Sequence, residues 1–185
     1  MLDNTDETYT SKVISKEALR LRNVAVSYLS RYASSVENLR RKLDRKLKNR
    51  NLPLSEDQLS RLVDETIHFC QQHGFVNDRA YAETKVAAGQ RRGVSRRKMS
   101  ATLEAKGVSG DTISTALAEV DDFASALRLA QRRRIGPWRT RPVDRAFEKD
   151  VAALSRAGFP VSIAMTVVRM PADDAESTLA EHWNM

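Results

Sequence analysis

The chain has 185 residues, a formal net charge of +7 and a pI near 9.8, with 41% hydrophobic and 30% charged residues. This composition suits a folded, helix-rich chain, and the scarcity of glycine and proline argues against an all-β fold, which needs many tight turns. No apolar run approaches the ~18 residues of a membrane-spanning helix, and a single cysteine excludes an internal disulfide framework and fits a reducing, cytoplasmic environment.

The first segment, "MLDNTDETYTSK", is acidic and polar and lacks the apolar stretch of a secretory signal peptide. We expect a disordered lead over residues 1–15. Helical periodicity follows along almost the whole remaining chain, and no alternating apolar–polar pattern of five or more residues indicates a strand. The sequence therefore predicts an all-α fold.

Three apolar faces recur at helical spacing, and two helix starts carry the capping-box pattern of a serine followed three residues later by Glu or Gln. These starts are Ser34 with Glu37, and Ser55 with Gln58. The faces consist of Val36, Leu39, Leu43 and Leu47, then Leu59, Leu62, Val63, Thr66, Ile67 and Cys70, and then Ile113, Ala116, Leu117 and Val120.

The helix stops also repeat, as "LKNRNL", "LEAKGV" and "LSRAGF". Glycine after a helix end adopts the left-handed conformation, and the following apolar side chain packs back on the last turn. Asn51 occupies the glycine position in the first stop, and asparagine tolerates that conformation. Aligned on these stops, Arg40 to Lys42 lie opposite Arg96 to Lys98, which indicates an internal repeat.

We therefore predict three units of three helices each, at residues 16–75, 76–120 and 121–170, followed by a frayed C-terminal tail at 171–185. A unit of this size buries little apolar surface alone, so stacked units would share their faces in an elongated array of tandem repeats. A one-sidedly basic array of this kind suits an extended, acidic partner.

The positive charge is strongly segregated. Residues 38–50, 85–98 and 128–145 each carry a net charge of +6, so the rest of the chain is net negative. In "RRGVSRRK", Arg91 to Lys98, we expect Ser95 to cap a helix whose first turn is Arg96, Arg97 and Lys98. Cations are unfavourable at a helix N-terminus, which attracts anions, so this stretch indicates either a phosphate or carboxylate site or a solvated basic surface.

A second basic stretch, "RRRIGPWRTR", places Trp138 after a Gly-Pro pair that ends a helix. The indole could stack on a nucleic-acid base, enter a pocket of a partner protein, or pack on its own repeat.

Catalytic and metal-binding patterns are weak. His68, Cys70 and His73 do not share a helix face, and Cys70 is expected in the core.

Four motifs in chain order resemble the RecX family of bacterial regulatory proteins, which act on the recombinase RecA. They are "YLSRYASSVENLRRKL" (28–43), "GFVNDRAYA" (74–82), "RRGVSRRKMSATLEAKGVS" (91–109) and "LSRAGFPVSIAMTVV" (154–168). Asn38 and Asn77 stand where the family usually has acids. The resemblance covers residues 20–170.

The resemblance implies tandem three-helix repeats, distantly like helix-turn-helix units, and no catalysis by the chain itself. It implies binding in the groove of the RecA–single-stranded-DNA filament and inhibition of ATP hydrolysis and strand exchange. In "GFVNDRAYA" it implies structural roles: Gly74 stops a helix, Phe75 packs back, Asn77 or Asp78 caps the next helix, and Tyr81 faces the core.

We expect a monomer without cofactors that binds RecA and single-stranded DNA, with double-stranded DNA as a further partner, independently of DNA sequence. One alternative is a helix-turn-helix transcriptional regulator, which would need base-reading side chains on a recognition helix. Another is a helical adaptor whose binding is insensitive to salt. The residues expected to dock on phosphates or filament carboxylates are Arg40, Arg41, Lys42, Arg45, Arg91, Arg92, Arg96, Arg97, Lys98, Arg132, Arg133, Arg134, Trp138 and Arg139.

Overall fold

The structure, a computed structural model, describes residues 3–181 and confirms the prediction of an all-α fold. Within these residues there is no strand, and no helix is both long and apolar enough to cross a membrane. The helices are α1 (Asp3–Leu29), α2 (Val36–Lys48), α3 (Glu56–Gln72), α4 (Asp78–Arg91), α5 (Arg96–Ala105), α6 (Gly110–Leu117), α7 (Asp122–Arg133), α8 (Ala146–Arg156), α9 (Val161–Arg169) and α10 (Ala172–Glu181), with a 3₁₀ helix at Gly136–Trp138 between α7 and α8.

The helices form two compact units. Unit 1 contains α1 to α3, the first residues of α4 and the short segment 106–108; unit 2 contains the rest of the described chain. This division does not test the predicted repeat boundaries, which remain a prediction.

In unit 1, α1 and α2 both pack on α3. The predicted apolar faces of α2 and α3 lie in its core, since Leu39, Leu43, Leu62, Val63 and Cys70 are buried together. Cys70 is fully buried in this core, as expected, and its burial raises the pKa of the thiol. In unit 2, α9 packs on α7 and α8, and the core gathers around buried side chains of α7 to α10.

The helix starts are largely those the sequence predicts, with one displaced by a residue. Ser55 and Gln58 form the predicted capping box. The box predicted at Ser34 is wrong: Ser35 caps α2 and accepts from the Asn38 N–H. Ser34 instead accepts a hydrogen bond from the Asn38 side chain at 2.8 Å.

Two of the three predicted stops are confirmed, because Gly107 and Gly158 have φ values of +74° and +95°. The assignment of Asn51 to the same conformation is wrong, since the only described non-glycine residues with positive φ are Arg134 and Arg145. After α2 the Leu52 N–H bonds to the Arg50 carbonyl at 2.8 Å rather than to a carbonyl of the last helical turn. The chain therefore turns without a left-handed cap.

The two basic clusters that the repeat alignment pairs lie at different distances from the starts of their helices, and the repeat itself stays a prediction. Helix α2 has 13 residues and α5 has 10, and each begins directly after its capping serine. Arg40 to Lys42 consequently lie in the middle of α2, whereas Arg96 to Lys98 form the first turn of α5. Only the latter cluster is at a helix N-terminus.

Both predicted disordered ends differ from the structure. Residues 3–15 of the predicted lead belong to α1, where Ile14 packs against the core of unit 1. The predicted tail contains α10, which packs on α7 with Ala175 and Leu179 buried. Both segments are polar on average, but each has a few apolar side chains on one helix face, and these side chains pack against another helix. The remainder of these predictions, residues 1–2 and 182–185, lies outside the described residues.

The segment "GFVNDRAYA" has most of the structural roles that the resemblance implies. Gly74 has a φ of +68°, Asn77 accepts from the Ala80 N–H at 3.1 Å, and Tyr81 is buried. The Phe75 N–H bonds back to the Cys70 carbonyl at 2.8 Å, although the Phe75 ring itself is 45% exposed. The segment therefore forms the tight turn that joins α3 to α4.

Candidate nucleic-acid interface

The start of α5 is fixed by three hydrogen bonds within unit 2. As predicted, Ser95 precedes the helix, and its Oγ accepts from the Lys98 N–H at 3.4 Å. The same Oγ donates to the Ala157 carbonyl at 2.8 Å, and the Arg96 N–H donates to the Asp122 carboxylate at 2.7 Å. The backbone that carries the basic first turn is thus held by α7 and by the end of α8.

Five cations surround this helix start, and we call them the α5 basic surface: Arg91, Arg92, Arg96, Arg97 and Lys98. All five are exposed. The first turn of α5 contains no acidic residue. In the described part of the chain, the side chains of Arg96, Arg97 and Lys98 make no ion pair. Because the helix dipole disfavours cations here, a bound anion would relieve an electrostatic cost of a few tenths of a kcal/mol per residue.

The guanidinium groups of Arg96 and Arg97 border an open groove of about 580 Å³. Buried apolar side chains of Ile113, Leu117 and Phe159 contribute to its floor. Two acids also line it, but both carboxylates are engaged: Glu104 accepts from Ser100 at 2.6 Å, and Asp122 accepts from the backbone of Arg96. Neither carboxylate forms an ion pair with a described cation, so Arg96 and Arg97 remain available to a ligand, although both acids keep their negative charge nearby.

The structure brings the second and third basic stretches together within unit 2. The Arg132 guanidinium donates to the Arg92 carbonyl at 2.6 Å, next to the α5 basic surface. Arg133 and Arg134 are exposed, and Arg134 ends α7 in the left-handed conformation, with a φ of +53°. Residues 40 positions apart in the sequence therefore contribute to one positive region.

The last two predicted site residues serve the interior of unit 2 instead. Trp138 is half-buried against the core of unit 2, so the structure supports packing on its own repeat rather than base stacking. Arg139 forms a double hydrogen bond with the buried carboxylate of Asp150, which also accepts from the Gly136 N–H at 2.8 Å. Hydrogen bonding to Asp150 raises the pKa of Arg139. Arg139 thus has a structural role, because removing it would leave the buried charge of Asp150 unpaired, and its part in docking stays a prediction.

The predicted cations of α2 are partly neutralised within unit 1. Arg40 contacts the Asp64 carboxylate at 2.6 Å and Glu37 at 3.9 Å, and Arg41 pairs with Glu37 at 2.9 Å. Arg45 is exposed, and the Lys42 ammonium lies 4.3 Å from the centre of the Tyr28 ring. The α2 cluster therefore presents less free positive charge than its sequence indicates.

Sequence reasoning missed the partner of each capping serine. Ser35 Oγ donates to the Lys106 carbonyl at 2.5 Å, as Ser95 Oγ does to Ala157, and each acceptor directly precedes a stop glycine. The first helical N–H after each serine also bonds to an aspartate, Asp78 after Ser35 and Asp122 after Ser95. The "KG" and "AG" sequences predicted a turn at each helix end, but they did not predict that the carbonyl before each glycine accepts a hydrogen bond from a capping serine.

Replacing Ser95 by alanine should lower the free energy of unfolding by about 2 kcal/mol, because both the cap and the bond to Ala157 are lost in a buried place. The matched control is Ser109→Ala. Ser109 caps α6 but is exposed, so its loss should cost about 0.5–1 kcal/mol. Urea denaturation followed by circular dichroism measures both, and equal losses would contradict the role of the Ala157 bond.

No group of three or more His, Cys, Asp or Glu side chains in residues 3–181 is placed to hold a metal ion.

Comparison with known proteins bears on the identity of this chain. The profile of the second three-helix domain of RecX matches residues 77–117, which include the α5 basic surface. The regulatory protein RecX of Agrobacterium fabrum is 31% identical over 86% of this chain and 88% of its own length. That of Myxococcus xanthus is 32% identical over 80% of this chain and 83% of its own length. The chain belongs to the RecX family.

Solved structures support the fold of this RecX family member. A crystal structure of regulatory protein RecX covers 90% of the chain with a TM-score of 0.66 and 20% identity. The crystal structure of RecX from Lactobacillus salivarius covers 92% of the chain with a TM-score of 0.59, also at 20% identity. The matching relatives carry the name of a regulatory protein, so the family is one of regulators rather than enzymes.

Proposed function

We propose that this RecX family member is a negative regulator of RecA. It binds in the groove of the RecA–single-stranded-DNA filament, inhibits ATP hydrolysis and strand exchange, and so affects recombination, DNA repair and the SOS response. It acts by occupying a surface, without chemistry of its own. The observation that carries this proposal is the first turn of α5, where three cations are exposed and have no acidic partner in the part of the chain that the structure describes.

The arrangement suits an anionic polymer rather than a small ligand. Exposed cations of the α5 basic surface and of the end of α7 are spread over two neighbouring elements of unit 2. A filament of protein and single-stranded DNA offers repeated phosphates and carboxylates to such a surface. Binding through phosphates weakens with salt and reads no base sequence.

A helix-turn-helix transcriptional regulator is less well supported. The helix that follows the turn after α5 is α6, with the sequence "GDTISTAL". It has eight residues, an acid in its first turn, and no Arg, Lys, Asn or Gln to read base edges. We therefore assign the basic residues to phosphate and filament contacts.

RecA's DNA-dependent ATP hydrolysis tests the proposal. Adding the purified chain at a stoichiometric ratio to RecA on single-stranded DNA should lower the steady-state rate of hydrolysis, and raising the salt concentration should weaken this inhibition. A variant in which Arg96, Arg97 and Lys98 are all alanine should inhibit less at the same concentration. An unchanged rate with the wild-type chain, under conditions where it binds the filament, would contradict the proposal.

A further inference from the structure

A second positive groove lies in unit 1, between α1 and α2, and it is distinct from the α5 basic surface. It has a volume of about 480 Å³. Its lining comprises four cations, two tyrosines, two small polar side chains and one valine: Arg20, Arg31, Lys42, Lys46, Tyr28, Tyr32, Asn23, Ser27 and Val24. No acidic residue is among these lining residues.

The cations of this groove come from α1, from the turn that follows it and from α2. Lys42 and Lys46 are four residues apart, so they share one face of α2. Arg31 is oriented by Ser27, since its Nε donates to the Ser27 carbonyl at 3.0 Å and its Nη2 to the Ser27 Oγ at 3.1 Å. Among the described residues, Arg20 is the one cation of this groove that has an acidic partner, at 3.7 Å from Glu17.

Glu17 neutralises little of the groove, because it is buried and pairs more closely with Arg50, at 3.1 Å. The positive charge around the tyrosines is therefore available to a ligand. Two or three phosphates spaced along a flexible strand could be contacted by Arg31, Lys42 and Lys46.

The tyrosines give the groove a stacking surface. Tyr28 and Tyr32 have ring centres 5.4 Å apart with an angle of 35° between the planes. Tyr28 makes two contacts within unit 1. The Lys42 ammonium lies over its ring, and the Asn38 side chain donates a hydrogen bond to its hydroxyl at 3.4 Å. Tyr32 is 58% exposed, so its ring is the one open to a ligand.

We infer that this groove binds single-stranded nucleic acid, with one base stacked on Tyr32 and the adjoining phosphates contacted by Arg31, Lys42 and Lys46. An aromatic platform beside a positive groove is the arrangement that single-stranded sites use, because every base has a flat face to stack. A duplex hides these faces, and an acidic protein segment would use the cations but not the exposed ring. The inference rests on the proposed contact with single-stranded DNA and deepens it by naming the site.

Fluorescence anisotropy without RecA tests this inference in a full-length background where Arg96, Arg97 and Lys98 are alanine, because the α5 basic surface would otherwise bind the same probe. The protein called the wild type in this experiment is that background with Tyr32 intact. The probe is a labelled oligothymidylate of about eight nucleotides, within the length that one compact site covers. Tyr32→Ala should weaken its binding roughly five- to hundredfold, whereas Tyr32→Phe should bind like the wild type. Tyr32→Leu keeps an apolar side chain beside Tyr28 but has no aromatic face, so it should bind as weakly as Tyr32→Ala.

Tyr9→Ala is the matched control. Tyr9 lies on α1 and, like Tyr32, is 58% exposed, but it does not line the groove, so its replacement should leave binding unchanged. A second probe of equal length without bases should bind the wild type more weakly, and Tyr32→Ala should not weaken it further.

Three results would overturn the inference: unchanged binding of oligothymidylate to Tyr32→Ala, an equal loss for the base-free strand, or an equal loss for a duplex of the same length. Unchanged binding to Tyr32→Ala would mean that the cations of the groove contact protein carboxylates or only solvent. The experiment contains no RecA, so a negative result here is distinct from a failure to inhibit ATP hydrolysis.

Discussion

Replacing Gly93 by alanine is expected to lower the free energy of unfolding by about 3–5 kcal/mol, among the larger effects of a single methyl group. Gly93 follows α4 with a φ of +62°, and a Cβ there would stand 2.7 Å from both the Leu129 amide nitrogen and the Ser125 carbonyl oxygen. These are backbone atoms of α7 and cannot move by a change of rotamer. Either the turn or the contact between α4 and α7 must therefore open.

Gly74→Ala separates the two causes. Gly74 has a similar φ of +68°, but a Cβ there would meet no atom within 4 Å. Its replacement should cost only the left-handed conformation, about 1–2 kcal/mol. Urea titrations of both variants, compared at equal slope, give the difference. If Gly93→Ala costs no more than Gly74→Ala, the close approach of α4 to α7 is wrong.

The triple replacement of Arg96, Arg97 and Lys98 by alanine should weaken binding to single-stranded DNA about a hundredfold near 0.1 M salt. If each cation neutralises one phosphate, the slope of log K against log salt should flatten by about 2, at ~0.7 per contact on a single strand. Helix content should not fall, because alanine is the better residue in the first turn. Anisotropy over a series of salt concentrations measures the slope.

A charge-matched control is available on unit 1. Lys12, Lys16 and Arg61 are exposed and lie outside the α5 basic surface and the groove between α1 and α2. Replacing these three by alanine removes the same net charge but should leave the slope unchanged. Equal slopes for the two triple variants would show that only the total charge matters and would contradict a defined site.

Local features were predictable from the sequence because they depend on residues three or four positions apart. The buried faces of α2 and α3, the cap at Ser95 and the left-handed glycines at 107 and 158 follow from helical periodicity and backbone preferences. The errors at Ser34 and Asn51 are also local, where neighbouring residues offered an equally suitable cap or a different turn.

The state of each cation could not be predicted, since it depends on partners distant in sequence. Arg40 is engaged by Asp64 of the neighbouring helix, and Arg139 by the buried Asp150, whereas Arg96 and Arg97 remain exposed. Nothing in the local pattern distinguishes these arginines. Tyr32 could not be singled out from the sequence, because the groove that it lines forms only where α1 and the residues after it meet the lysines of α2.

The sequence by itself determined an all-α chain of the RecX family, the positions of most helices and the segregation of positive charge. Each of these depends on composition, short-range periodicity or motifs that are continuous along the chain. Only the tertiary structure decided which positive side chains are neutralised and which line a groove. Ion pairs and grooves form between helices, and Coulomb interactions depend on distances in space that chain order does not fix.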